Sequence, residues 1–114
     1  MRILENFTSD PKQRHQLVIP GGETISLQIE YKPQQSGWFF TEITHNDVTI
    51  KNIRICTSPN LLHQYVNQLP FGLMITTTDA GEPTQQQDFL SRRSVMYLLD
   101  ADECAAYRDY LNNG

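Results

Sequence analysis

The sequence is short of the residues that announce many functions. Its 114 residues include two cysteines and one tryptophan, and no apolar run approaches the roughly 18 residues of a membrane-spanning helix. Cys56 and Cys104 are too few and too far apart for a disulfide scaffold or a clustered zinc site. They read as reduced, partly buried thiols. Positive charge is scarce: the net charge is -4, and the local basic pairs are only Lys12-Arg14 and Arg92-Arg93. A binder of phosphate backbones carries a basic stripe, so neither a nucleic-acid nor a membrane partner is expected. The opening "MRILENF" is too short for a secretory apolar region, which predicts a chain made and folded in a cytoplasm.

Catalytic and metal signatures are missing as well. No GxSxG elbow or cysteine-nucleophile signature occurs. The three histidines, His15, His45 and His63, have no metal-ligand spacing. "DADE" (Asp100 to Glu103) lacks the Gly and the distal Glu of a calcium loop, and it reads as acidic charge at a helix N-terminus. No catalytic, cofactor-binding or metal-binding residue is expected, and the chain is not expected to be an enzyme.

What is present is a β pattern. With 39% hydrophobic and 19% charged residues, the chain is one globular domain. "RHQLVI" is a short strand that ends at Pro20-Gly21-Gly22, a hairpin turn. In "TISLQIEY", Ile25, Leu27, Ile29 and Tyr31 alternate with polar residues, the clearest period-two signal in the chain. "WFFTEIT" and "VTIKNIRI" follow, joined by "HND". The period then changes. "SPNLLHQYVNQLP" places Leu61, Leu62, Tyr65, Val66 and Leu69 at helical spacing, with Ser58 as N-cap and Pro59 at the first helical position. "FGLMITTTD" and "RSVMYLL" return to strand, and "DADECAAYRDYLNNG" reads as a terminal helix capped by Asp100 or Asp102.

The fold class is therefore mainly β: a small antiparallel sandwich or barrel of about six or seven strands, with a short inserted helix and a C-terminal helix. The expected organisation is an N-terminal arm (1–12), a β domain (13–99) and the helix (100–114). Expected core residues are Leu27, Ile29, Tyr31, Trp38, Phe40, Leu73 and Tyr97.

Trp38 has three readings: a sugar-binding platform, a contact between subunits, or a core residue. Trp38 and Phe40 alternate with Phe39, Thr41 and Ile43, so both faces of this strand start apolar. That matches a strand covered on both sides better than an exposed platform. Phe89 and Leu90 follow a Gln-rich loop, where an apolar loop tip often meets a partner.

The ordered motifs carry a resemblance across residues 13 to 99. They are Leu27, Ile29 and Tyr31 in the first alternating strand; Trp38 and Glu42; Asn60-Leu61-Leu62; Gly72-Leu73-Met74; then Asp88, Leu90, Arg92 and Tyr97. This order resembles the small baseplate plug proteins of contractile-tailed phages, the cyanophage type included. Departures are Glu42 and Asn60, where that family tends to have Asp, and Ser91, where it tends to have Gly.

The resemblance implies a virion structural protein at the centre of the tail baseplate that helps to close the tube lumen. It implies no catalysis and no cofactor. It further implies a homo-oligomeric ring around the tail axis, touching hub, tube-end, tape-measure or wedge proteins. The loop from Asp79 to Arg93 and the C-terminal helix would carry contacts between chains, through Phe89, Leu90, Arg92, Arg93, Tyr107 and Tyr110. A small carbohydrate-binding or adhesion module, and a phage-encoded inhibitor of a host protein, are the alternatives.

Overall fold

The computed structural model describes residues 2–113 apart from 6, 20–22, 66–68 and 80, with backbone alone at 112 and 113. The Pro20-Gly21-Gly22 turn and Val66 lie outside the described residues. In chain order the elements are β1 (Arg2–Ile3), β2 (Lys12–Val18), β3 (Thr24–Lys32), β4 (Gly37–His45), β5 (Val48–Arg54), β6 (Gly72–Thr77), β7 (Ser94–Leu99) and α1 (Ala101–Asn113). They form two antiparallel sheets, β2-β3-β4-β5 and β1-β7-β6. Each sheet keeps its own edges, so the architecture is a sandwich and not a closed barrel.

One apolar core lies between the sheets. From the four-stranded sheet it takes Ile25, Leu27, Ile29, Trp38, Phe40, Ile43 and Ile50; from the three-stranded sheet it takes Leu73, Ile75, Met96 and Leu98. Tyr31 packs against this cluster while only partly buried. Tyr97, expected in the core, is half-buried on the other face of β7. The cause is alternation: Met96 and Leu98 point inward, which leaves Tyr97 outward, level with Ile3 and Met74 on the flanking strands.

The strand holding Trp38 departs from strict alternation. Thr41 is an extra residue in β4 relative to β3, since Gln28 pairs with Glu42 but Ile29 pairs with Phe40. Such a bulge moves every later side chain to the opposite face. Trp38 and Phe40 point inward before it, and Ile43 and His45 point inward after it. The expectation of two apolar faces is corrected accordingly. Phe39 alone stays on the outer face, half-buried beneath the cations of Lys32 and Arg54. On the neighbouring strand Asn52 adopts φ 60°, and β5 turns with β4, presenting Ile50 and Ile53 to the core on either side of it. Asn tolerates this left-handed backbone better than most residues.

Among the described residues the short inserted helix is a 3₁₀ turn, His63–Tyr65, preceded by an extended segment. Ser58, expected as an N-cap, pairs with Ile75, and the Leu61 N–H donates to the Leu73 carbonyl at 2.7 Å. The reason is Asn60. Its buried Oδ1 accepts the N–H of Leu62 (3.1 Å) and of Leu73 (3.2 Å), which fastens the chain to β6 and offers the backbone an alternative to a helix. A Cβ on Gly72 would lie 2.5 Å from that Oδ1, so Asn60 can hold this position only beside a glycine.

The N-terminal residues, expected as a separate arm, enter the fold. β1 pairs with β7, and Leu4 and Phe7 are buried in the core. At the other terminus, Asp100 and Glu103 form a reciprocal capping box: the Glu103 N–H donates to Asp100 Oδ1 (2.8 Å) and the Asp100 N–H to Glu103 Oε1 (3.2 Å). Among the described residues no helix is long and apolar enough to cross a membrane.

Deleting Thr41 should remove the bulge and leave Ile43 and His45 facing the core, because Phe40, Glu42 and Ile43 then alternate regularly against Ile29, Gln28 and Leu27. The loss of stability is expected to stay well below the roughly 2–5 kcal/mol that removing a large buried aliphatic group costs. A fall of that full size in circular dichroism melts would show that Ile43 had left the core and that Thr41 is not the extra residue.

Candidate assembly surfaces

The loop between β6 and β7 is polar and irregular in sequence, yet it is tied down along its length. At its start the Thr57 N–H donates to Glu82 Oε2 (2.7 Å) and the Thr57 hydroxyl donates to the Gly81 carbonyl (2.7 Å). In the middle, two core aromatics reach the loop's backbone. Tyr31 donates its hydroxyl to the Thr84 carbonyl (2.8 Å), and the Trp38 indole N–H donates to the Gln85 carbonyl (3.1 Å). Gln86 donates to the Ser9 carbonyl (2.6 Å), which joins the loop to the N-terminal segment.

Arg93 closes the loop at its base. Its guanidinium bonds both carboxylate oxygens of Asp79 (3.0 and 3.1 Å through Nη2), one oxygen of the buried Asp88 (2.8 Å) and the Glu82 carbonyl (3.0 Å). The Gly81 N–H and then the Arg93 guanidinium hold the Asp79 carboxyl below the ordinary carboxylate range, and Asp79 in turn raises Arg93. Asp88 also accepts the Gln85 N–H at 2.9 Å, so all its charge is directed into the loop. Arg93, expected as a contact between chains, is thus committed to its own chain.

Phe89 is corrected in the same way. Its ring is buried, 5.4 Å from Phe7 and 5.9 Å from Trp38 between ring centres. An apolar side chain within reach of a core is drawn into it whatever the polarity of the residues before it. Leu90, next along, stays outside at 53% exposure. Arg92 is exposed, has φ 64° and pairs with Glu5 at 3.5 Å. On α1, Tyr107 is half-buried with its ring edge-on to His63 (5.3 Å between centres), whereas Tyr110 is 72% exposed. Of the six expected contact residues, Leu90, Arg92 and Tyr110 are therefore at the surface, Tyr107 and Arg93 partly so, and Phe89 is not.

Trp38 is fully buried, which removes the sugar-platform reading that depended on its exposure. The described residues bring no three His, Cys, Asp or Glu side chains together as a metal site. Burial pushes both thiols up, aided by Glu82 at Cys56 and by Asp100 and Glu103 at Cys104, so both stay protonated at neutral pH.

The outer faces of the two sheets differ in character. On the four-stranded sheet, Lys12 lies opposite Glu30, and Glu42 opposite Lys51, a mosaic of paired charges. On the three-stranded sheet, Ile3, Tyr97 and Met74 form one row and Val95 and Thr76 the next. Sequence reasoning missed Ile3, Leu4, Glu5 and Phe7. The alternation of apolar residues there is too short to register as a strand.

The described residues thus form a two-sheet antiparallel β-sandwich with a stapled polar loop. The chain belongs to the family described as the cyanophage baseplate Pam3 plug gp18, whose model matches residues 1–101, and such plugs are structural components of the phage tail baseplate. The match takes in β1, which the motif order alone left outside, and ends where α1 begins. No curated protein matches the chain.

Arg93→Met should free the loop, making the bonds after Phe89 and Leu90 susceptible to chymotrypsin in the native protein. Acid should do the same in the wild type. A carboxylate whose pKa is lower in the folded than in the unfolded state stabilises the fold above its ordinary value, 3.8 for Asp79, and loses that effect as pH falls through the lower folded value. Fluorescence of the single tryptophan, bonded to the loop at Gln85, is expected to change over that acid range, whereas Asp79→Asn, which has no carboxyl to titrate there, should already differ at neutral pH and lack that step. Identical acid profiles for the two proteins would exclude Asp79 as the titrating group.

Proposed function

We propose that this chain is the plug of a contractile-tail baseplate, with copies arranged around the tail axis near the tube end and hub, where they close the lumen until contraction. The role is structural rather than catalytic and needs no cofactor. The chain is made in the host cytoplasm and joins the particle by contact with hub, tube-end, tape-measure or wedge proteins. The observation that carries this reading is the family match, which spans both sheets and the stapled loop and not an isolated motif.

The physical surfaces support it. The charged mosaic on the four-stranded sheet suits a face bathed in water. The row Ile3-Tyr97-Met74 on the other sheet suits a face that meets protein, since interface centres are depleted in charge and enriched in Tyr and Met. The stapled loop lowers the ordering entropy that a free loop would lose on assembly.

The test is to purify particles of the phage that encodes the chain and resolve the tail tip by cryo-electron microscopy, with mass spectrometry of the same preparation. The chain should be found in axial baseplate density. Its absence from particles would reject the plug reading and return the host-directed inhibitor to consideration.

A further inference from the structure

Among the described residues the exposed large apolar side chains are Ile3, Val18, Leu90, Tyr110 and Leu111. Four of the five fall in two groups at opposite edges of the β1-β7-β6 sheet. On the β1 edge, Ile3 and Leu90 stand at a groove of about 210 Å³ whose floor is Phe7, Phe89 and Met96. Glu5 and Arg92 also line it, paired with each other. On the β6 edge lies α1, held by Cys104 against Asn60 (3.7 Å) and Tyr107 against His63. The chain around Asn60 is itself bonded to β6. Tyr110 and Leu111 project from the end of this helix, with the exposed Arg108 and Asp109 beside them.

The two groups are complementary in size and charge. The groove has the size for one aromatic ring, and a tyrosine contributes large rigid area at small entropic cost. The charges match in kind: one acid and one base at the groove, one base and one acid at the helix end. Glu5 can face Arg108, and Arg92 can face Asp109. A chain cannot satisfy its own groove without pulling α1 away from Asn60 and His63. A second copy can, and repetition of an edge-to-edge contact leads to a ring or a filament rather than a two-fold dimer.

We propose that the C-terminal helix of one copy inserts Tyr110, flanked by Leu111, into the groove between Ile3 and Leu90 of the next copy. The inference rests on the plug reading for its setting and deepens it by naming the contact between copies.

The experiment is sedimentation velocity over a wide concentration range on the wild type and on Tyr110→Ala, Leu90→Asp and Val18→Asp, with circular dichroism melts to establish that each folds. All three positions are more than half exposed, so the fold is expected to survive. The wild type and Val18→Asp should associate with concentration. Tyr110→Ala and Leu90→Asp should associate about tenfold more weakly or worse, the effect of losing a central interface anchor. An equimolar mixture of those two retains one intact groove and one intact helix end, so it should form pairs and nothing larger. A wild type that stays monomeric throughout, or groove and helix variants that associate like the wild type, would overturn the proposal. The two readings fail separately. A chain present in the baseplate whose Tyr110→Ala form does not lose association loses only this contact, and a chain that associates through the groove but is absent from particles loses only the plug role.

Discussion

The buried indole of Trp38 is the point on which the other parts converge. Its ring packs against Tyr31 on the neighbouring strand and edge-on to Phe89 from the β6–β7 loop, and Phe89 in turn meets Phe7 from the N-terminal segment. Its N–H, which a buried tryptophan must satisfy, goes to the Gln85 carbonyl. One side chain therefore couples a sheet, a loop and, through Phe89, the N-terminal segment. The loop is irregular because its backbone follows these side-chain anchors rather than a strand partner. The Arg93–Asp79–Asp88 staple then fixes the part that the indole does not reach.

That arrangement explains the split among the surface residues. Polar loops are usually exposed and mobile, so a phenylalanine in one reads as a contact. Here the anchors bring the loop close over the open side of the core, and Phe89 enters it while Leu90, the next residue, does not. Arg93 is likewise occupied from within, whereas Arg92, in left-handed backbone, turns outward to Glu5. What remains available to a partner is narrower than the sequence implies, and it is concentrated at the two edges of the smaller sheet.

The alternation of Ile25, Leu27 and Ile29, the two-residue turn at Asn46-Asp47 and the capped terminal helix were legible because each is a local pattern with a local cause. The order of the motifs led to the plug family for the same reason. Three features were not legible. The bulge at Thr41 depends on the pairing of β4 with β3, and no residue in "FFTEIT" marks it. The segment at Ser58 has helical spacing, but Asn60 bonds across to β6 and holds it extended. The groove at Ile3 and Leu90 joins residues nearly ninety positions apart, and the apolar residues of its N-terminal half are too few to show a period.

The left-handed Asn52 has a meaning beyond register. It sits in β5, an outermost strand of its sheet, beside the charged Lys51. A straight and uncharged strand in that position would offer a row of free backbone groups to any other extended chain. The kink interrupts that row and the ammonium group keeps it in water. The edge is thereby shielded from indiscriminate strand-to-strand accretion, and contact is left to surfaces with other shapes.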